Sequence, residues 1–155
     1  MNALLTYRRL TETDIPTFVA MRITQLKEEG AQSDLDLEPA LTTYYQKHLT
    51  DGTFVSWLAV DGERIIGTSG MSFVEKPPYY SNPTGKIGLL SSMYTHPDYR
   101  RQGIARKLLD YVVEEARACG CGAVWITASE MVCCCMLRMD SRKTDVFCSM
   151  CCNAQ

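Results

Sequence analysis

The stretch "MYTHPDYRRQGIARKLL", from Met93 to Leu109, decides how this chain is read. An apolar run, "IGLLSSMYT" from Ile87, has the character of a strand and ends at His96-Pro97. From Ala105, "ARKLLDYVVEEARACG" has helical spacing, with Leu108, Leu109, Val112 and Ala116 inward and a stop at Gly120 or Gly122. The turn between them sits at a helix N-terminus, where unpaired N–H groups and the helix dipole both favour phosphate oxygens. Gly103 lets a ligand approach the backbone closely, while Arg100 and Arg101 add positive charge. Arg100 opens the pattern Arg-x-x-Gly-x-Ala, which alone describes any charged turn before an amphipathic surface helix. Its place between a strand and a helix gives it weight. A Rossmann dinucleotide site would need two more glycines than this turn has.

Working outward, "LTYRRLTETDIPTFVAMRITQLKEEG" starts with a short strand. Asp14 then caps a helix with Pro16 just inside its start, and Phe18, Met21, Ile23 and Leu26 form its apolar side before Gly30. A second helix is predicted in "LEPALTTYYQKHL", with Leu37, Leu41, Tyr44, Tyr45 and Leu49 inward. The period then changes. "FVSWLAV" and "RIIGTSGMSFV" are strands joined at Asp61-Gly62, a hairpin signal. "EKPPYYSNPTGK" is a loop, because its prolines cannot continue a ladder, and "AVWITAS" is a buried strand. The order β-α-α-β-β-β-α-β predicts one α/β domain with a mixed sheet.

Composition excludes several classes. At 155 residues the chain can bury a core unaided, and a net charge of -2 gives no nucleic-acid footprint. The start lacks the apolar region of a signal peptide, and no apolar run reaches membrane-spanning length, so a cytoplasmic setting with reduced thiols is expected, with no nucleic-acid or membrane partner. His48 and His96 form no convincing metal set with nearby acids. Six of the eight cysteines fall between Cys133 and Cys152, but three adjacent thiols diverge and only Cys148 and Cys151 have a two-residue gap, so no metal is expected.

On the residues Arg100, Arg101, Gln102, Gly103, Ile104 and Ala105, the sequence resembles the GNAT superfamily of N-acetyltransferases, whose pyrophosphate loop has the form Gln/Arg-x-x-Gly-x-Gly/Ala at this junction. The resemblance covers residues 4 to 129. It implies a mixed, mainly antiparallel α/β (α+β) sheet flanked by helices, with acetyl-CoA as cosubstrate lying where the strand ending at Thr95 splays from the strand starting at Ala123. Backbone groups of Met93, Tyr94 and Thr95 would pair with the pantetheine arm. The implied reaction is direct attack of a small-molecule or peptide amine on the thioester. It needs a base, a carbonyl donor and an acid for the thiolate. The Tyr94 amide is the expected carbonyl donor, and Glu75, ending its strand, the expected base. Ser91, Ser92, Tyr79 and Tyr80 are expected either to shape the acceptor pocket or to serve the fold. A homodimer stays open.

The end of the chain departs from the family. Members follow the Ala123 strand with a helix carrying Leu-Tyr-x-x-x-Gly-Phe and then closing strands. "MVCCCMLRMDSRKTDVFCSMCC" has no such pattern. Allowed codons for this stretch, read from the third base of Val132, spell Met-Leu-Leu-Tyr-Val-Lys-Asn-Gly-Phe and, further on, Phe-Leu-Gln-Tyr-Val-Leu. A displaced frame therefore accounts for the cysteines. The domain is expected to span 1–131, with 132–155 its atypical end. That end would lack the family's tyrosine acid, have incomplete closing strands that leave "AVWITAS" with an open edge, and place a substitute helix at "SEMVCCCMLRM".

Overall fold

A computed structural model describes residues 4–126 and, as backbone, 135–139 and 144–148. Three helices and eight strands are described: β1 (Leu5–Arg9), α1 (Ile15–Glu28), α2 (Glu38–Thr50), β2 (Phe54–Val55), β3 (Trp57–Asp61), β4 (Arg64–Glu75), β5 (Lys86–Thr95), α3 (Ile104–Ala118), β6 (Ala123–Ile126), β7 (Cys135–Met139) and β8 (Thr144–Cys148). They fall into two compact units, Met1–Gly70 with Ser92–Val112, and Met71–Ser91 with Val113–Gln155.

In the first unit the strand order is β1-β3-β4-β5. β1 and β4 both run antiparallel to β3. Two residues, Gly62 and Glu63, connect β3 to β4, and Gly62 takes the positive φ of 63° that a tight hairpin turn demands. Successive side chains of a strand point to opposite faces, and β3 obeys this. Leu58 and Val60 join Leu10, Ile15, Phe18, Val19, Tyr45 and Phe54 beneath α1 and α2. Ala59, between them, joins Ile66, Ile104 and Leu108 beneath α3. The expected run "FVSWLAV" is broken at Ser56, where the Ser56 hydroxyl bonds the Ser69 carbonyl, and Ser69 Oγ bridges the Trp57 amide at 3.3 Å and carbonyl at 3.0 Å.

α1 starts where expected, but Asp14 makes no side-chain bond to it and instead turns back onto the 3-10 turn Glu12–Asp14 that precedes it. Its carboxylate accepts from Arg8 at 2.7 and 2.9 Å, from the Thr11 amide at 2.9 Å and from the Thr11 hydroxyl at 2.8 Å. Arg8 above all, helped by Thr11, holds the Asp14 carboxyl well below the usual carboxylate range, against a burial that pushes it up. The buried side of α1 is Ile15, Phe18 and Val19, with Gln25 buried and bonded to Arg22 and Glu29. In α2 Tyr45 alone is buried, and Tyr44 and Leu37 face solvent.

In the second unit the order is β4-β5-β6-β7-β8. β6 lies parallel to β5 with Ile87 to Leu90 opposite Ala123 to Ile126, and a parallel pair needs the crossover that α3 supplies. Gly88 allows close packing here, since a Cβ on it would come 2.6 Å from Met71 Sδ. Asn82, 1% exposed, donates to the Lys86 carbonyl at 2.9 Å and orders the loop expected between Glu75 and Lys86. Burial above all pushes the Cys121 thiol up to about 11.

The edge of β6 is not open. β7 pairs antiparallel with it from Ala123 opposite Arg138 to Ile126 opposite Cys135, and β8 pairs with β7. The expectation of incomplete closing strands is corrected to this extent, and so is the substitute helix, since Cys135–Met139 is a strand. Strand pairing needs backbone groups and an unpaired neighbouring edge, which the altered side chains leave intact. The expected helix residues 129–134 lie outside the described residues.

Candidate functional site

The turn after β5 is anchored on both sides before any ligand is considered. The His96 amide donates to the Ile66 carbonyl at 2.8 Å, which ties the end of β5 to β4. Residues Pro97–Tyr99 form one 3-10 turn, and Tyr99 donates its hydroxyl to Asp61 Oδ2 at 2.7 Å, which pins the turn to the β3–β4 hairpin and raises the phenol's pKa. On the far side α3 is seated by Ile104 and Leu108, both almost wholly buried. Tyr111 stacks on Trp57 with ring centroids 4.2 Å apart and planes within 8°. The helix start therefore has little freedom relative to the strand end.

Between these anchors the backbone turns back on itself. Arg101 has φ 62° and Gly103 φ 79°. Left-handed residues in such a turn gather amide N–H groups into a concave nest suited to an anion. The first bond into α3 runs from the Lys107 amide to the Gly103 carbonyl at 3.1 Å, so the amides of Ile104, Ala105 and Arg106 have no intrahelical acceptor. A Cβ at Gly103 would meet no protein atom within 4 Å, so the space beside it is open to a ligand. Met93, Tyr94, Thr95, Tyr99, Arg100, Arg101, Gly103, Ile104, Ala105 and Arg106 line a cleft of about 350 Å³. Every predicted cofactor residue except Gln102 lies on it. Gln102 is exposed, its Nε2 3.4 Å from the Asp98 carbonyl.

The side chains divide the work differently from the sequence reading. Ile104 is 2% exposed and Met93 packs beside the Ala59, Ile66, Ile104 and Leu108 cluster, so both offer the cleft mainly backbone. Arg100 is drawn away from a purely phosphate-facing role. Its Nε donates to the Thr95 carbonyl at 2.9 Å, a terminal N–H donates to Glu28 Oε2 at 2.8 Å, and its guanidinium lies 5.7 Å over the Tyr94 ring. Tyr94 in turn donates its hydroxyl to Glu28 Oε1 at 3.2 Å. Burial above all, with Glu28, raises the pKa of that phenol, so it stays protonated at neutral pH. Glu28 was missed from sequence because nothing in α1 distinguishes it from its neighbours Lys27 and Glu29.

Ser92, one residue before the cleft, is the second unexpected feature. It is buried with φ 54°, and Ser92 and Arg101 are the two non-glycine residues with positive φ among the described residues. For a serine this conformation costs about 1–2 kcal/mol. Thr68 Oγ1 donates to its carbonyl at 2.8 Å, and its hydroxyl lies 3.2 Å from Tyr45 Oη.

Glu75, the expected base, is the exposed last residue of β4 and belongs to the second unit, as do Tyr79 and Tyr80. A second groove of about 540 Å³ in the first unit is lined by Arg8, paired with Asp14 at 2.7 Å, by Arg64, which donates to the His96 ring at 2.9 Å, and by Glu63. Among the described residues no three His, Cys, Asp or Glu side chains gather as a metal group would require, and no helix is long and apolar enough to cross a membrane.

A nest and helix start at the end of a central strand, in a mostly antiparallel sheet flanked by helices, define the GNAT acetyltransferase architecture. The Acetyltransferase (GNAT) family matches residues 19–131, and the chain belongs to that family. Among solved structures it is similar to a predicted acetyltransferase with acetyl-CoA from Clostridium acetobutylicum, at 34% identity over 83% of each chain and a TM-score of 0.79. A GCN5-related N-acetyltransferase from Ralstonia eutropha shares the fold at 23% identity, over 83% of this chain and 86% of that one, TM-score 0.76. So does an aminoglycoside acetyltransferase from an uncultured soil metagenomic sample, solved with sisomicin, at 22% identity over 82% and 79%, TM-score 0.60. A comparison with curated protein sequences found no match. The family match stops at Met131.

Proposed function

We propose that the chain is an N-acetyltransferase that moves the acetyl group of acetyl-CoA to a primary amine of a small molecule or peptide. The observation that carries this reading is the amide nest at Arg101 and Gly103 running into the unpaired amides of Ile104, Ala105 and Arg106. That arrangement suits a pyrophosphate, and the relative from Clostridium acetobutylicum was solved with acetyl-CoA. The pantetheine arm would run along Met93, Tyr94 and Thr95. Arg100 then contributes through position as well as charge, since its guanidinium donates to Glu28 and to the Thr95 carbonyl.

In the proposed reaction the neutral amine nitrogen attacks the thioester carbonyl carbon. The Tyr94 amide donates to the oxygen as it gains charge, the carbon–sulfur bond breaks, CoA leaves as thiolate, and the new amide nitrogen gives up its extra proton to the thiolate or to water. The ammonium proton must be removed first, and Glu75, directly or through water, is the proposed base. An acid for the thiolate contributes roughly 10²-fold, the low end of general-acid catalysis, because a thiolate is already a fair leaving group. Acetyl-CoA is the proposed cosubstrate, and no metal enters the reaction. Amino acids, polyamines, aminoglycosides and peptide N-termini are the acceptor classes to be tried.

The second reading is a CoA-binding module without turnover, favoured by the absence of Leu-Tyr-x-x-x-Gly-Phe after Met131. One experiment separates the two. Thiol release from acetyl-CoA is followed with a panel of those amines, beside acetyl-CoA binding by calorimetry. Amine-dependent release supports the enzyme; binding without release supports the module; neither overturns both.

A further inference from the structure

We propose that Tyr45 and Thr68 are positioning residues that hold Ser92 in its left-handed conformation and thereby aim the Met93–Tyr94–Thr95 backbone into the cleft. A serine with φ 54° persists only where its surroundings over-determine it. Here they do. The Thr68 hydroxyl donates to the Ser92 carbonyl at 2.8 Å, and the Tyr45 hydroxyl meets Ser92 Oγ at 3.2 Å. All three residues are 3% exposed or less, so no water competes for these bonds. The Tyr45 ring is itself clamped, edge-on to Phe18 with centroids 4.8 Å apart and against Phe54 at 5.0 Å.

Packing alone does not require the two hydroxyls. Phenylalanine and valine would fill nearly the same volumes in this apolar cluster, and a buried hydroxyl is unfavourable unless it finds a partner. Both hydroxyls spend their bonds on the one residue whose backbone departs from a strand. Ser92 stands two residues past Leu90, the last of β5 with a registered partner on β6, and one residue before Met93 at the cleft. Reversing φ at that point rotates the peptide groups on either side of it relative to an extended strand. Because Tyr45 lies on α2 and Thr68 on β4, the aim of the cleft backbone is set by two separate elements of the first unit.

The inference rests on the acetyltransferase reading for its catalytic consequence but not for its structural one, and the test treats them apart. Tyr45→Phe and Thr68→Val are each made alone, and Tyr45→Phe is combined with Ser92→Gly, because glycine holds a positive φ without support. Amide hydrogen exchange at Met93 and Tyr94, which needs no ligand, is expected to quicken about 10-fold or more in both single variants and to return towards wild type in the double variant. In the amine-panel assay kcat is expected to fall about 10-fold in the single variants and recover in the double, with acetyl-CoA affinity within about 2-fold throughout. A merely structural role would lower melting temperature without this split or rescue. Unchanged exchange in Tyr45→Phe and Thr68→Val, or a loss that Ser92→Gly does not restore, overturns the proposal. A wild-type protein that neither binds nor turns over acetyl-CoA defeats the enzyme reading instead, and the exchange comparison still decides the lock.

Discussion

At the scale of single residues, the strongest determinants were those with a chemical reason to be unique. Asp14 was legible as the residue just before α1, but its carboxylate binds the Thr11 amide of the preceding turn instead of capping the helix, and its bidentate bond to Arg8 was not legible, since that partner comes from a strand. The depressed carboxyl pKa fixes the sign of its pH effect. A carboxylate held below its unfolded value near 3.9 stabilises the protein fully above that pH and loses its contribution as pH falls further. Asp14→Asn should therefore cost about 1–3 kcal/mol at pH 7 and leave a variant whose stability declines less steeply below about pH 4. Urea unfolding at pH 7 and pH 3 checks both. Arg100 and Glu28 are a weaker case. Each is nearly half exposed, and such pairs contribute at most about 1 kcal/mol, so Glu28→Gln should shift stability by less than that. A loss of several kcal/mol would mean the pair is worth more than its exposure allows. Ser92 was named from its position, but no residue pattern discloses a positive φ in a serine.

Among elements, the strand, turn and helix around Gly103 were read almost to the residue, because the period change and the loop pattern agree there. β3 was less legible: "FVSWLAV" looks continuous, and the break at Ser56 goes with a bond from its own hydroxyl to the Ser69 carbonyl, thirteen residues away on β4. α1 was placed correctly with its buried side misjudged, since Ile15 and Val19, not Met21 and Leu26, face the core. The helix start of α3 carries the next prediction. If its unpaired amides hold the pyrophosphate, the thioester S-acetylpantetheine, which keeps the reacting end and the pantetheine arm and lacks the pyrophosphate and nucleotide, should bind at least about 100-fold more weakly than acetyl-CoA. Equal affinity would place recognition on the strand and not on the helix.

For the whole molecule, the elements from β1 to β6 were legible from sequence, and the closing strands were missed because their side-chain pattern gives no signal. β7 pairs in register with β6, and β8 with β7, so the chain as written keeps an edge cover while lacking the Leu-Tyr-x-x-x-Gly-Phe residues. If the end after Met131 is a displaced reading, a chain with the other frame restored should melt higher and gain more in turnover than in acetyl-CoA affinity, because the cleft loop lies before that segment. Equal melting temperatures and equal turnover would make the cysteine-rich end a working part of the protein. The most direct measurement is calorimetric titration of acetyl-CoA into the wild-type chain and into Gly103→Val, with folding of both checked by circular dichroism. The Gly103 site is open to solvent and its φ is 79°, so the valine should fill the phosphate space and strain the nest together. Saturable binding by the wild type and a loss of about 100-fold or more in the variant are predicted; unchanged affinity in a folded Gly103→Val protein would contradict the assignment of this loop to acetyl-CoA.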